Sequence, residues 1–302
     1  MAVSGTESIP AASSERRPGR PQRVWRVARR YPLLPALILL ILAITGALPG
    51  LFAPYDPYAA SLRERLTPPA WQDGGSSRHL LGVDHLGRDV LSRLIHGARV
   101  SLIIAVAVVA ISGTIGTALG IASGYYGGLV DDFIMRIVEI KQAMPLLLVA
   151  MIAAMVFDRS FGLLVGVLAF WSWTGFARQV RTEVLQLRTR EYVLNARVMG
   201  ASTRRIFVKH LFPGVVNTVV VLATLLVGNL ILTESVLSFL GAGVPPPRPA
   251  WGSMISEGRE FLSTAWWIAT FPGIAIVLTV LGFNFLGDWL RDFWDPRLRQ
   301  SR

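Results

Sequence analysis

The 302-residue chain has no cysteine, and only two of its 30 basic residues, Lys141 and Lys209, are lysines. The first absence excludes disulfides, thiolate zinc sites, iron–sulfur clusters and cysteine nucleophiles. The second is nearly as restrictive. A phosphate-cradling loop ends in Gly-Lys-Ser/Thr, but Lys141 precedes Gln142 and Lys209 precedes His210, so the chain binds no ATP by that route. Gly-x-Ser-x-Gly and His-Glu-x-x-His are also missing, which leaves hydrolase readings without a foothold. The histidines His79, His85, His96 and His210 are scattered; His79 and His85 with Asp84 and Asp89 match no usual zinc spacing and read as polar loop residues. Charge itself is scarce, at 16% of residues, where a soluble domain carries roughly a quarter. With 52% hydrophobic residues and a mean hydropathy of +0.50, the deficit fits a surface that faces lipid, where charge is costly. The net charge of +11 invites a nucleic-acid reading, but no basic stretch has a base-stacking context, and membrane orientation explains it better.

The chain has long apolar runs instead. Residues 1–30 are rich in Ser, Pro and Arg and read as a disordered basic tail. The run over about 31–52 is long enough to cross a hydrocarbon core of roughly 30 Å. It outlasts a signal-peptide core of about 7–15 residues and ends in Pro49-Gly50-Leu51-Phe52, which predicts a retained span. The arginines before it assign the tail to the cytoplasm, and the polar, Pro- and Gly-punctuated segment 53–96 to the outside. Further spans are predicted over 101–124, up to about 157 after an amphipathic lead-in at 131–142, from 161 onward, over 215–240 and over 266–286. The third and fourth fall short of the ~20 apolar residues a span prefers and recruit polar flanking turns, with Asp158-Arg159-Ser160 as the outer turn between them and Pro145 tolerated near the start of the third. After Phe176 a long loop carries Arg178, Arg181, Arg188, Arg190, Arg197, Arg204, Arg205 and Lys209 against Glu183 and Glu191. That excess, like the final Arg291, Arg297, Arg299 and Arg302, belongs inside. The expectation is an all-α membrane protein of six transmembrane helices with both termini cytoplasmic. Its parts are a tail 1–30, a first helix and outer segment 31–96, a five-helix core 97–290 enclosing a cytoplasmic loop 177–213, and a tail 291–302.

Within that loop Val193, Ala196 and Gly200 fall at helical spacing on a narrow small-residue face that permits close approach of another backbone. Gly200 can supply the left-handed turn that ends the helix, Ile206-Phe207 starts a second apolar element, and Pro213 opens the fifth span. A short helix with a small face and a basic rim is a plausible docking knob for a cytoplasmic partner; an ordinary positive-inside loop is the plainer alternative.

This stretch resembles the cytoplasmic signature of permease subunits of bacterial ATP-binding-cassette importers, and in detail the dipeptide/oligopeptide/nickel branch. Glu191, Tyr192, Val193, Ala196, Arg197, Gly200, Ala201, Ser202, Arg205, Ile206, His210 and Pro213 match; Leu194, Asn195, Phe212 and Gly214 depart. The likeness continues in Ala53-Pro54-Tyr55-Asp56-Pro57, in residues 81–102, in 234–241 and in Pro249-Ala250-Trp251-Gly252, so it covers roughly residue 50 to the end and points to the second of two permease types. The resemblance implies a type I importer permease fold in the bacterial inner membrane. It also implies a pathway shared with a second permease subunit, two cytoplasmic ATPase subunits that bind ATP–Mg, and an extracytoplasmic substrate-binding protein. On this reading the chain holds no cofactor or metal and meets lipid rather than nucleic acid. Glu191, Ala196, Arg197, Gly200, Ala201, Ser202 and Pro213 are then the ATPase-coupling residues. The substrate class, whether peptides, nickel chelates or other small solutes, rests with the binding protein.

Glu234 lies within the fifth span, where an ionisable residue is a functional candidate by default. Contact with substrate or pathway and a purely structural pair stand level for it. Asn229 and Asn284 are interhelical hydrogen-bond candidates and pathway candidates. An ion-gradient-driven secondary transporter is the competing class, but no repeat relates residues 31–160 to 161–290. An intramembrane enzyme lacks a clustered nucleophile, base or metal site.

Overall fold

A computed structural model of the chain describes residues 33–294; the basic tails and the start of the first predicted span lie outside the described residues. Every regular element within them is helical. Helix α1 (Leu33–Ala47) and the single turn α2 (Pro49–Phe52) lead into an irregular segment 53–89. There follow α3 (Val90–Tyr126), α4 (Gly128–Ala143), α5 (Leu146–Val156), α6 (Phe161–Leu187), α7 (Glu191–Val198), α8 (Thr203–Ile206), α9 (Phe212–Phe239), α10 (Trp251–Gly258) and α11 (Trp267–Trp294). Four of the described helical stretches are long and apolar enough to cross a membrane, five if α4 and α5 together make one span. Helix α1, at 15 residues, is a shorter apolar helix.

The helices run further than their apolar cores. Helix α3 starts at Val90 rather than near Ser101, because the Asp89 carboxylate accepts from the Ser92 amide at 2.7 Å and caps it. Helix α6 begins at Phe161, where the Ser160 hydroxyl accepts from the Leu163 amide, and continues past Phe176 to Leu187. Arg178 and Arg181 therefore stand on a helix and not on a loop. The third predicted span is two helices meeting at 83°. Pro145 is the cause: the residue before a proline is pushed out of the helical region, and Met144 is extended at φ −95°, ψ 135°. Pro213 opens no helix of its own. Thr203–Phe239 is continuous, with a π-helical turn, Phe207–Leu211, just before the proline.

The centre of the bundle is the pair α3–α6, which meets along a ridge of glycines. A Cβ on Gly120 would lie 2.7 Å from the Ala177 carbonyl oxygen and 2.8 Å from Val180 Cβ; on Gly124 it would lie 2.8 Å from Val184 Cβ; on Gly116 it would run into the Trp173 carbonyl. Only glycine lets the backbones come this close, the small-residue packing that replaces hydrophobic drive in lipid. Around this pair small polar residues share the interior with apolar ones, and large apolar side chains also face outward. Ser101, Ser112, Thr117, Ser235, Ser238 and Thr279 are buried, while Ile103, Val106, Ile111 and Ile115 on α3 are exposed, as expected of helices whose outer solvent is hydrocarbon.

Candidate functional site

At one end of the bundle, called here the basic end, α6 passes into α7 and α8. Arg188 donates from Nη1 to the Gly124 carbonyl at 3.0 Å and so ties the end of α6 to the end of α3. Helix α7 starts at Glu191, whose charge suits the positive helix N-terminus. It ends in a Schellman turn: Gly200, at φ +76°, donates to the Arg197 carbonyl and Ala201 to that of Ala196, both at 3.0 Å. Ser202 then precedes α8, and its carbonyl accepts from the Ile206 amide.

The predicted small-residue face does not point outward as a unit. Val193 is fully buried, inserted among Ile121, Val180, Val184, Ile206, Leu211 and Val215. Ala196 and Ala201 are half-buried, whereas Glu191, Arg197, Gly200, Ser202 and Pro213 are exposed. Arg197 lays its guanidinium over the Tyr125 ring at 5.0 Å, and Tyr125 meets Phe207 edge-on at 5.0 Å. The loop is thus clamped to the last turn of α3. What it offers to a partner is a different set of side chains: Val198 and Met199, each 85% exposed, with Leu194 and Tyr192 also exposed. Arg190, Arg204, Arg205 and Lys209 stand exposed around them. Leu194 and Val198 are one helical turn apart, a signal present in the sequence but outweighed there by the small residues. An exposed apolar patch with a polar rim is the kind of surface that protein or membrane contacts cover.

The pathway candidates are not gathered into one site. Glu234 is 1% exposed and accepts from Ser101 on α3 at 3.1 Å and from Ser238 at 2.6 Å, so it ties α9 to α3. Asn229 is exposed on α9, and Asn284, partly buried on α11, lies against Gly228. Among the described residues no hydrogen bond joins the three side chains.

At the opposite end, the cap end, segment 53–89 folds over α10 and α11. Trp267 donates to the Val83 carbonyl at 3.0 Å and Trp251 to that of Leu94 at 2.9 Å. Asp84 accepts from Arg88 at 2.7 Å and from Arg93, and both guanidiniums also reach Glu257, at 2.6 and 2.9 Å. His79 pairs with Asp89 at 2.9 Å. Asp84, His85 and Glu257 place potential ligand atoms within 4.8 Å of one another, but two guanidiniums already occupy the carboxylates, and the cluster reads as a strap. Burial works against the Asp84 carboxylate; the charge of Arg93, then the Arg88 amide and charge and the Leu86 amide, outweigh it and hold its pKa below the ordinary 3.8. A lowered folded pKa contributes stability that is complete above the unfolded value and lost as pH falls through the folded one. The cap is therefore expected to hold through mild acid and to loosen only below about pH 4. Hydrogen exchange of residues 81–89 measures this, and Asp84→Asn should remove the acid-dependent step; an identical profile in the variant would contradict it.

Two comparisons bear on this architecture. The family described as binding-protein-dependent transport system inner membrane component matches residues 116–300, a stretch that includes the glycine ridge, the basic-end loop and α9–α11. The dipeptide transport system permease protein DppC of Escherichia coli (strain K12) is 45% identical over 248 residues, covering 82% of this chain and 83% of its own. The glutathione transport system permease protein GsiD of Pectobacterium atrosepticum is 43% identical over 227 residues, 75% of each chain. The oligopeptide transport system permease protein OppC of Bacillus subtilis (strain 168) is 39% identical over 250 residues, covering 83% of this chain and 80% of its own. With its several apolar spans, its buried small and polar residues and its clamped, outward-facing loop helix, the chain belongs to the inner-membrane permease subunits of binding-protein-dependent ATP-binding-cassette importers.

Proposed function

We propose that the chain lines, together with a second permease, the pathway of an ATP-driven importer for peptides or a related small solute, with α7 as the element gripped by a cytoplasmic ATPase. The observation that carries the coupling role is the exposed apolar patch of Val198, Met199 and Leu194 on a loop rigidly clamped to α3. The peptide assignment follows the relatives, which are dipeptide, oligopeptide and glutathione transport system permeases. In this reading the basic end is cytoplasmic and the cap end faces the binding protein, as the excess of arginine in the loop demands. The chain crosses six times: α1 makes the first crossing together with flanking residues, wedged against α3 and α11 through Gly46 beside Leu102 and Leu39 beside Gly282.

The mechanical consequence follows from the contacts. Closure of the ATPases displaces α7; the Arg188 and Arg197 clamps pass that displacement to α3, and the glycine ridge passes it to α6. Helix α4 moves with α6, because Arg181 grips Asp131 through two bonds of 2.5 Å and Arg178 bonds Gln142 at 2.6 Å. A packed body of this kind moves as a unit between two arrangements of the pathway. ATP–Mg stays in the partner subunits, where this chain has nothing to offer it.

Glu234 serves in this scheme as a tie between α3 and α9. Glu234→Gln, whose amide oxygen can accept from one serine while its NH2 donates to the hydroxyl oxygen of the other, is expected to transport near the wild-type rate. Glu234→Leu strands two buried hydroxyls at a cost of about 1–3 kcal/mol each and should lower the melting temperature. A fully stable Glu234→Gln protein without transport would instead give the carboxylate a pathway role. The function as a whole is tested in proteoliposomes containing the complete complex: labelled Ala-Ala should enter only with ATP inside and the binding protein outside. Uptake driven by an ion gradient alone would reverse the reading.

A further inference from the structure

The cap-end segments leave between them a cavity of about 210 Å³ whose lining includes four charged side chains. Ser238, whose hydroxyl donates to Glu234, is among its lining residues. Its walls bring together Arg88, Arg159, Arg248 and Glu257 from four separate stretches of chain. Two of these charges are already spent. Arg88 and Arg93 neutralise Asp84 and Glu257 in the strap described above. Arg159, in the turn between α5 and α6, and Arg248, directly after Pro245-Pro246-Pro247, are exposed. Among the described residues neither has a carboxylate partner. The cavity therefore carries two uncompensated guanidiniums. Gly241, at φ +82°, has the Arg159 guanidinium 3.9 Å from the place a Cβ would take, so the loop backbone leaves room for that side chain. The three prolines hold φ fixed ahead of Arg248 and limit how far it can swing.

Guanidinium pairs match carboxylate geometry with parallel charge-assisted bonds. A small concave site suits the end of a small molecule better than the flat surface of a protein. We propose that this cavity is an anion subsite that receives the free carboxylate of the transported peptide at the mouth of the pathway, with Arg159 and Arg248 as its donors. The assignment rests on the peptide reading of the preceding subsection and adds to it a chemical requirement, an unblocked C-terminus.

The test uses the complete complex in proteoliposomes, with ATP enclosed and labelled Ala-Ala supplied on its binding protein over a range of concentrations. Among the described residues neither arginine has a carboxylate partner, so the Arg159→Gln/Arg248→Gln double variant should assemble normally. It is expected to lose roughly tenfold or more in maximal uptake rate, the scale of one or two charge-assisted bonds. The concentration of loaded binding protein giving half-maximal uptake should not change, and the Arg159→Lys/Arg248→Lys variant should recover part of the rate. A raised half-maximal concentration with an unchanged maximal rate would overturn the subsite and assign the arginines to acidic groups on the binding protein. Full activity of the double variant, with wild-type uptake intact, would overturn the subsite alone. A wild-type complex that takes up no dipeptide would overturn the peptide reading and the subsite with it.

Discussion

Met199→Asp is expected to reduce peptide-stimulated ATP hydrolysis at least tenfold while the protein still assembles in the membrane. The side chain is 85% exposed at the end of α7, so the substitution costs the isolated chain almost nothing. If an ATPase covers that patch, the same substitution buries an unpaired carboxylate in an apolar contact. Anchors of this kind cost 2 kcal/mol or more when lost, and about 1.4 kcal/mol is tenfold. The opposite face of the same helix supplies the control. Val193 is fully buried in the cluster beneath the loop, so Val193→Asp should lose folded protein rather than coupling. Stimulated ATPase activity and the yield of monodisperse protein together separate the two. If Met199→Asp hydrolyses ATP normally on stimulation, the partner does not grip this patch.

The second large effect lies in the ridge between α3 and α6. Gly120→Val should destabilise the protein by about 3 kcal/mol or more, the upper range for overpacking a tight core, and most of the chain should be lost as aggregate. The added side chain meets the Ala177 carbonyl oxygen and Val180 Cβ, and backbone on a packed helix cannot step aside. Gly166→Ala on α6 is the comparison, since a Cβ there meets nothing within 4 Å, and its melting temperature should match or slightly exceed the wild type. Equal melting temperatures for both variants would mean that the α3–α6 contact is looser than described. In the proposed transport cycle the same ridge is what would carry α3 and α6 together.

The parts of this structure that are local in sequence were legible beforehand. The apolar runs marked the long helices, Asp158-Arg159-Ser160 marked the turn before α6, and Gly200 marked the end of α7. Helix ends were not legible, because arginines that look like loop on their own are held on helices by partners far away; Arg181 stays on α6 beside Asp131 of α4. Pro145 reads in the sequence as tolerated within a single third span, whereas it divides that span into two helices meeting at 83°, an angle that depends on how α4 is fastened to α6. The end of α7 was legible from its turn, but the side of the helix that faces outward was not. Val193 and Leu194 are neighbours of similar polarity, and only the cluster under the loop decides which one turns inward. The cap-end strap was out of reach for the same reason, since Arg88 meets Glu257 across 169 positions of chain.

As proposed, the permease works as one member of an assembly whose ATPases act on α7. The most direct measurement is purification of the tagged chain from its native membranes, followed by mass spectrometry and cross-linking through a cysteine placed at Val198. Recovery of a second permease, two ATPase copies and a substrate-binding protein is expected, with Val198→Cys linking to an ATPase. A lone oligomer of this chain that transports solute without ATPases, or a Val198→Cys cross-link only to lipid-embedded helices, would contradict it.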